Sequence, residues 1–102
     1  MRISFDIDGV LDTERGMELA RRLINRGEVV FIITARNERF SREVYQIAEE
    51  LNIPRLLVYF TNGADKWKTI KAVNIERHYD NNREQIEKIN LNTTAEGVLF
   101  EL

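Results

Sequence analysis

Two runs of uninterrupted apolar residues, Val-Val-Phe-Ile-Ile over Val29–Ile33 and Leu-Leu-Val-Tyr-Phe over Leu56–Phe60, limit the folds open to this chain. A strand with one wet face alternates apolar and polar side chains, whereas a run of five apolar residues has no face to offer water. Such strands belong inside a parallel sheet covered on both sides. Between them the spacing turns helical: Phe40, Val44, Ile47, Ala48 and Leu51 fall on one face and leave Arg42, Glu43, Glu49 and Glu50 outside. Gly27 is placed to end the first helix, and Asn52 with Pro54 to end the second.

The predicted order is strand Arg2–Ile7, helix Glu14–Arg26, strand Glu28–Ile33, helix Glu38–Leu51 and strand Arg55–Phe60. It continues with helix Asp65–Val73, strand Glu76–Tyr79, helix Arg83–Ile89 and a last strand over Gly97–Leu102. Strands alternating with helices through right-handed crossovers predict an α/β fold, a three-layer, doubly wound parallel sheet. A length of 102 residues suits a single domain over 1–102 with one core.

Composition removes several classes of function. The chain has no cysteine, hence no disulfide, thiolate metal site or thiol nucleophile, and any metal must sit on oxygen ligands. Its net charge of -2 denies it the basic field of a general nucleic-acid or membrane-surface binder. Asp6 and Asp8 interrupt the first apolar run as in no secretory leader, and no apolar stretch reaches about 18 residues. A soluble, cytoplasmic protein without a membrane partner is expected.

In a doubly wound sheet, ligands bind beyond the carboxyl ends of the strands, so the residues there are read together. The first predicted strand ends in Asp6 and Asp8, the second in Thr34 and the fourth in Asp80, while the loop after the third leads to Lys66 at a helix start. Two acids one residue apart each disfavour the other's ionisation unless a cation or a reaction makes use of them. On an extended strand both project to one side, with Ile7 turned into the sheet.

Through FDIDGV (Phe5–Val10), FIITAR (Phe31–Arg36), DKW (Asp65–Trp67) and HYDNN (His78–Asn82), in that order, the chain resembles the haloacid dehalogenase-like (HAD) superfamily, whose members are mostly phosphatases. The resemblance runs from the first strand to the fourth, and the first motif carries most of its weight. It implies a hydrolase of phosphoric monoesters in which Asp6 attacks phosphorus to form an aspartyl-phosphate. Asp8 would then be the acid for the leaving oxygen and the base for the hydrolytic water. It implies further that Mg²⁺ binds Asp6, the main-chain carbonyl of Asp8 and Asp80, that Thr34 donates a hydrogen bond to a phosphate oxygen, and that Lys66 neutralises phosphoryl charge. Arg36 is a candidate for substrate contact or for an ion pair with Asp80.

Each residue also has a plainer reading. Thr34 suits a cap or a turn, Lys66 a solvated position with Lys68 competing for its role, and Asp80 the cap of the following helix. Only their conjunction with Asp6 and Asp8 lifts these residues above such readings. Asp12 and Thr13 read as helix caps, Gly9 and the Asn62-Gly63 pair as turns, and His78 as a packed or partly exposed imidazole with no catalytic part.

Two departures from the family matter. Many members carry two consecutive acids in the last motif, whereas here Asp80 is followed by Asn81 and Asn82. The places where cap domains are inserted hold only Val10–Thr13 and Thr61–Ala64, so a minimal, capless type is expected, with the turn and hairpin after the first motif curtailed. An open site suits a phosphate on a bulky substrate, a nucleotide, a nucleic-acid end or a phosphoprotein, or a site completed by another subunit of a homo-oligomer. Arg36, Arg39 and Arg42 near that edge favour the nucleic-acid reading modestly. The alternative from another class is a low-turnover phosphate-binding or regulatory module that retains the pocket. A receiver domain is disfavoured because no acid ends the Leu56–Phe60 run.

Overall fold

In a computed structural model that describes residues 1–101, five strands form one sheet. They are β1 (Arg2–Phe5), β2 (Val29–Thr34), β3 (Val58–Phe60), β4 (Arg77–Asp80) and β5 (Glu96–Leu99), in the spatial order β3-β2-β1-β4-β5. Every pairing is parallel. Four helices connect them: α1 (Glu14–Asn25), α2 (Arg42–Glu50), α3 (Trp67–Ala72) and α4 (Arg83–Asn92). The strand order is that of a Rossmann-like α/β fold. Leu102, the end of the predicted last strand, lies outside the described residues. Among the described residues, no helix is long and apolar enough to cross a membrane.

The apolar run of β2 shows why three layers form. Val30 and Ile32 pack with Ala20 and Leu23 of α1 and Val44 and Ile47 of α2. Phe31 and Ile33, on the opposite side of the same strand, pack with Ile70 of α3 and Ile89 of α4. Each such side chain contributes roughly 1.5–3 kcal/mol when fully buried, so exposing either face of β2 would cost more than typical single interactions can offset.

Several boundaries differ from the predicted ones, each for a local reason. β1 stops at Phe5, because the chain then wraps into a wide turn over Ile7–Leu11 with Leu11 N donating to Asp6 O (3.3 Å) and Asp12 N to Ile7 O (3.2 Å). Gly9 at φ +78° makes that turn possible, as expected. α1 lies directly on it: a Cβ at Gly16 would collide with the Val10 carbonyl. The predicted helix Glu38–Leu51 begins only at Arg42, because Glu38–Phe40 forms a separate tight turn whose start is capped by Asn37. Phe40 is thereby swung off the apolar face and is 67% exposed. The predicted strand Arg55–Phe60 keeps only its second half, since Arg55–Leu57 forms a tight turn after Pro54, leaving Leu56 outside the core. The third predicted helix begins at Trp67, and β4 extends to include Asp80.

Candidate active site

β1 and β4 lie side by side, yet the chain leaves β1 toward the layer of α1 and leaves β4 toward the layer of α4. Their connections diverge, and a crevice opens between them. There a cavity of about 470 Å³ is lined by Asp6, Asp8, Lys66 and Asp80, together with Asn81 and Gln85. A larger groove of about 550 Å³ runs between α1 and α2 and holds none of the predicted site residues.

Asp6 is fixed just past β1, where its N–H donates to the Tyr79 carbonyl (3.0 Å) and holds it against β4. Lys66, at the start of α3, is buried rather than solvated, and its Nζ sits 2.8 Å from Asp6 Oδ1 and 2.6 Å from Asp80 Oδ2. Lys68, its competitor, lies instead over the ring of Trp67. Asp80 has no solvent exposure; its Oδ2 also meets His78 Nε2 at 2.9 Å, and its Oδ1 accepts from Asn82 N at 3.0 Å. The cap of α4 is therefore not Asp80 but Asn82, whose Oδ1 accepts from Glu84 N and Gln85 N.

Asp8 departs from the expected geometry. It does not share a strand face with Asp6, because it lies on the Ile7–Leu11 turn, where its side chain is 59% exposed against 8% for Asp6. Arg36 pairs with this acid, Nη2 to Oδ1 at 2.6 Å, and with Glu43 at 3.4 Å, rather than with Asp80. Asp80 is already occupied by Lys66, His78 and Asn82. Thr34 is fully buried and acts as a turn former, its Oγ1 accepting from Arg36 N at 3.2 Å, while its neighbour Ala35 lines the cavity. Four of the six predicted side chains thus line the crevice, with Thr34 behind it and Arg36 beside it.

The smaller expectations divide. Thr13 caps α1 by accepting from Gly16 N, and Asn62 and Gly63 supply the positive-φ turn before α3. Asp12 braces the Asp8 turn instead, accepting from Gly9 N at 2.9 Å. Gln85 went unpredicted: its Oε1 accepts from Lys66 N (3.1 Å) and its Nε2 donates to Asp65 Oδ1 (3.1 Å), tying α4 to the approach to α3. Its one signal in the sequence is the spacing of a capping box, three residues after Asn82, although here its side chain turns to Lys66 and Asp65 and not back to the cap.

Charge is unevenly held. Burial pushes the Asp6 carboxyl up to about 6 against the pull of Lys66, and the Asp80 charge adds to the rise. Burial also pushes Asp80 upward, but the His78 hydrogen bond and the Lys66 charge outweigh it and hold this carboxyl well below the usual range. Hydrogen bonds from Arg36 hold Asp8 low. Burial pushes the His78 imidazole down, which keeps it neutral near pH 7.

Among the described residues, no group of three or more His, Cys, Asp or Glu side chains gathers to hold a metal ion. Asp6 and Asp80, which meet on Lys66 in the cavity, are a smaller set of hard oxygen donors. That set fits Mg²⁺, which takes one or two carboxylates and fills its shell with water and substrate phosphate.

No family model matches the chain, and comparisons with curated proteins and with solved structures return no match.

Proposed function

We propose that the chain is a Mg²⁺-dependent phosphomonoester hydrolase of HAD type, acting through a phosphorylated Asp6. What carries this reading is the meeting of Asp6 and Asp80 on Lys66 inside one cavity whose rim bears Asp8. Two buried acids sharing one ammonium leave a negative charge uncompensated, which is costly in a folded protein unless a cation joins them.

The Asp6 carboxylate attacks phosphorus and the ester oxygen leaves, taking a proton from Asp8. Asp8, now ionised, takes a proton from the water that cleaves the acyl phosphate, which regenerates Asp6 and releases phosphate. Lys66 offsets the charge that builds on the phosphoryl oxygens. Arg36, the present partner of Asp8, is the guanidinium for which an arriving phosphate dianion competes. Mg²⁺ held by Asp6, the Asp8 carbonyl and Asp80 would supply screening between the two anions that must meet.

The phosphate is best read as the end of a bulky or nucleotide substrate. On the connection leaving β2, whose first residue Ala35 lines the cavity, Phe40 is 67% exposed and stands in sequence between the exposed Arg39 and Arg42. The second reading is a low-turnover phosphate-binding or regulatory module, favoured by the ion pair that occupies Asp8.

Hydrolysis of p-nitrophenyl phosphate with and without Mg²⁺, for the parent and Asp6→Asn, tests the proposal. Nucleotides, oligonucleotide ends and phosphopeptides follow as substrates. Metal-dependent turnover lost in the variant is expected. Phosphate binding without turnover on any of these substrates would leave the binding module.

A further inference from the structure

Behind Asp80 lies a buried polar chain that the proposed reaction does not use. The parallel register sets Ser4 of β1 beside His78 of β4, and both are fully buried. Ser4 Oγ is 2.6 Å from His78 Nδ1, and His78 Nε2 is 2.9 Å from Asp80 Oδ2. A buried hydroxyl and imidazole are destabilising unless hydrogen-bonded, and an apolar pair would fill the same space without that demand.

The donors and acceptors assign themselves. An ionised Asp80 only accepts, so Nε2 carries a proton; in the neutral ring Nδ1 is then an acceptor and receives the Ser4 hydroxyl. One tautomer satisfies every polar atom of the chain. His78 and Asp80 project to the same side of β4, two residues apart, so the imidazole approaches the carboxylate from within the sheet. Oδ2 also takes Lys66 Nζ at 2.6 Å, which gives this oxygen two donors. Oδ1 takes the Asn82 N–H alone and retains a lone pair for a cation.

Resting on the phosphohydrolase reading above, we propose that Ser4 and His78 are positioning residues: they lock the Asp80 carboxylate in the one orientation that reserves Oδ1 for Mg²⁺. Lys66 on Oδ2 and the Asn82 N–H on Oδ1 set which oxygen faces which partner, but a flexible ammonium and a single N–H leave the carboxylate room to rock about its last bond. The imidazole, fixed by Ser4 at one end and bonded to Oδ2 at the other, is a rigid third contact that removes that play.

The test combines nitrogen NMR with calorimetry. His78 is the only histidine of the chain, so its ring nitrogens are identified without further assignment. In metal-free protein at neutral pH the Nε2-protonated tautomer is expected; an Nδ1-protonated ring overturns the inference. In calorimetric Mg²⁺ titrations His78→Leu should bind the ion about 10–100-fold more weakly, the usual effect of removing a group that orients a metal ligand. His78→Gln, which restores an N–H toward Asp80, should recover most of that loss, and Ser4→Ala should fall between. The KM for p-nitrophenyl phosphate at saturating Mg²⁺ should stay near that of the parent. A folded His78→Leu with parental Mg²⁺ affinity overturns the positioning role and leaves the hydrolase reading standing. Should that variant not fold, unchanged affinity in Ser4→Ala decides the same way. A parent that binds no Mg²⁺ ends both.

Discussion

Arg36 grips Asp8 at two points, with Nη2 2.6 Å from Oδ1 and Nε 3.0 Å from Oδ2. These hydrogen bonds hold the carboxyl below its ordinary value, yet the acid role proposed for Asp8 requires it protonated. Removing the guanidinium lets Asp8 titrate at higher pH, so the protonated fraction persists further up the scale. In Arg36→Gln, the alkaline limb of kcat/KM for an alkyl phosphate should therefore move to higher pH. Folding should change little, since Asp8 is more than half exposed and such pairs contribute about 1 kcal/mol or less. Parallel pH–rate profiles and thermal melts measure both effects; a limb that stays in place would remove Asp8 as the acid.

Asp6 gives a pH dependence of stability with a definite sign. Its carboxyl titrates near 6 in the folded chain against an ordinary 3.8, so the folded state holds this proton more tightly than the unfolded state does. The stability it contributes is complete below the unfolded value and is lost as pH rises through about 6. An ionised Asp6 then costs on the order of 3 kcal/mol. Asp6→Asn removes that cost and leaves Lys66 paired with Asp80. In a chelating buffer the variant should be more stable than the parent at about pH 8, with the gain shrinking toward about pH 4. Denaturant melts at the two pH values decide, and an equal gain at both would show that Asp6 does not titrate in this window.

The local patterns that were legible in the sequence were those whose demands the whole fold could meet. Val30 to Ile33 required cover on both faces, and four helices supply it. Leu56 is as apolar as these residues, but the tight turn following Pro54 outweighs hydrophobicity and leaves it exposed. Phe40 kept the helical spacing, yet the helix starts after it. At the site, Asp6 and Asp80 were legible because strand ends converge at a switch point whatever the details of packing, whereas Lys66, six residues past β3, was picked out from Lys68 only by the resemblance of the Asp65–Trp67 motif and its spacing to Asp80. The partner of Arg36 was not, since sequence spacing does not tell which acid a long guanidinium side chain reaches. Nor was the Ser4–His78 bond, which depends on the register between β1 and β4.

Gly16 sits where a helix would ordinarily gain from alanine, by roughly 0.5–1 kcal/mol. Here the added methyl would meet the backbone carbonyl of Val10, which cannot swing aside as a flexible side chain would. Gly16→Ala should therefore destabilise the fold by about 1–3 kcal/mol, the range of overpacked sites. It should also disturb the turn that carries Asp8, lowering turnover more than the loss of stability explains. Urea melts and kinetics on the same preparation test this, and a stabilised variant would mean that α1 moves away freely.

Lys66 gives a test of the metal ligands that needs no substrate. Its ammonium is enclosed between two carboxylates, and in Lys66→Met both would remain buried with no neighbouring cation. Breaking a buried pair by removing one partner typically costs about 3–5 kcal/mol, so the melting temperature should fall sharply in chelator. A divalent ion bound by Asp6 and Asp80 replaces the missing positive charge, and ligands that bind only the folded state raise its stability in proportion to their affinity for it. Mg²⁺ should then raise the melting temperature of Lys66→Met by more than it raises that of the parent, because in the variant the ion no longer competes with the ammonium for the same oxygens. Thermal melts of both proteins across a Mg²⁺ series measure the difference. Equal shifts, or none in either protein, would mean that these carboxylates are not the ligands of the ion.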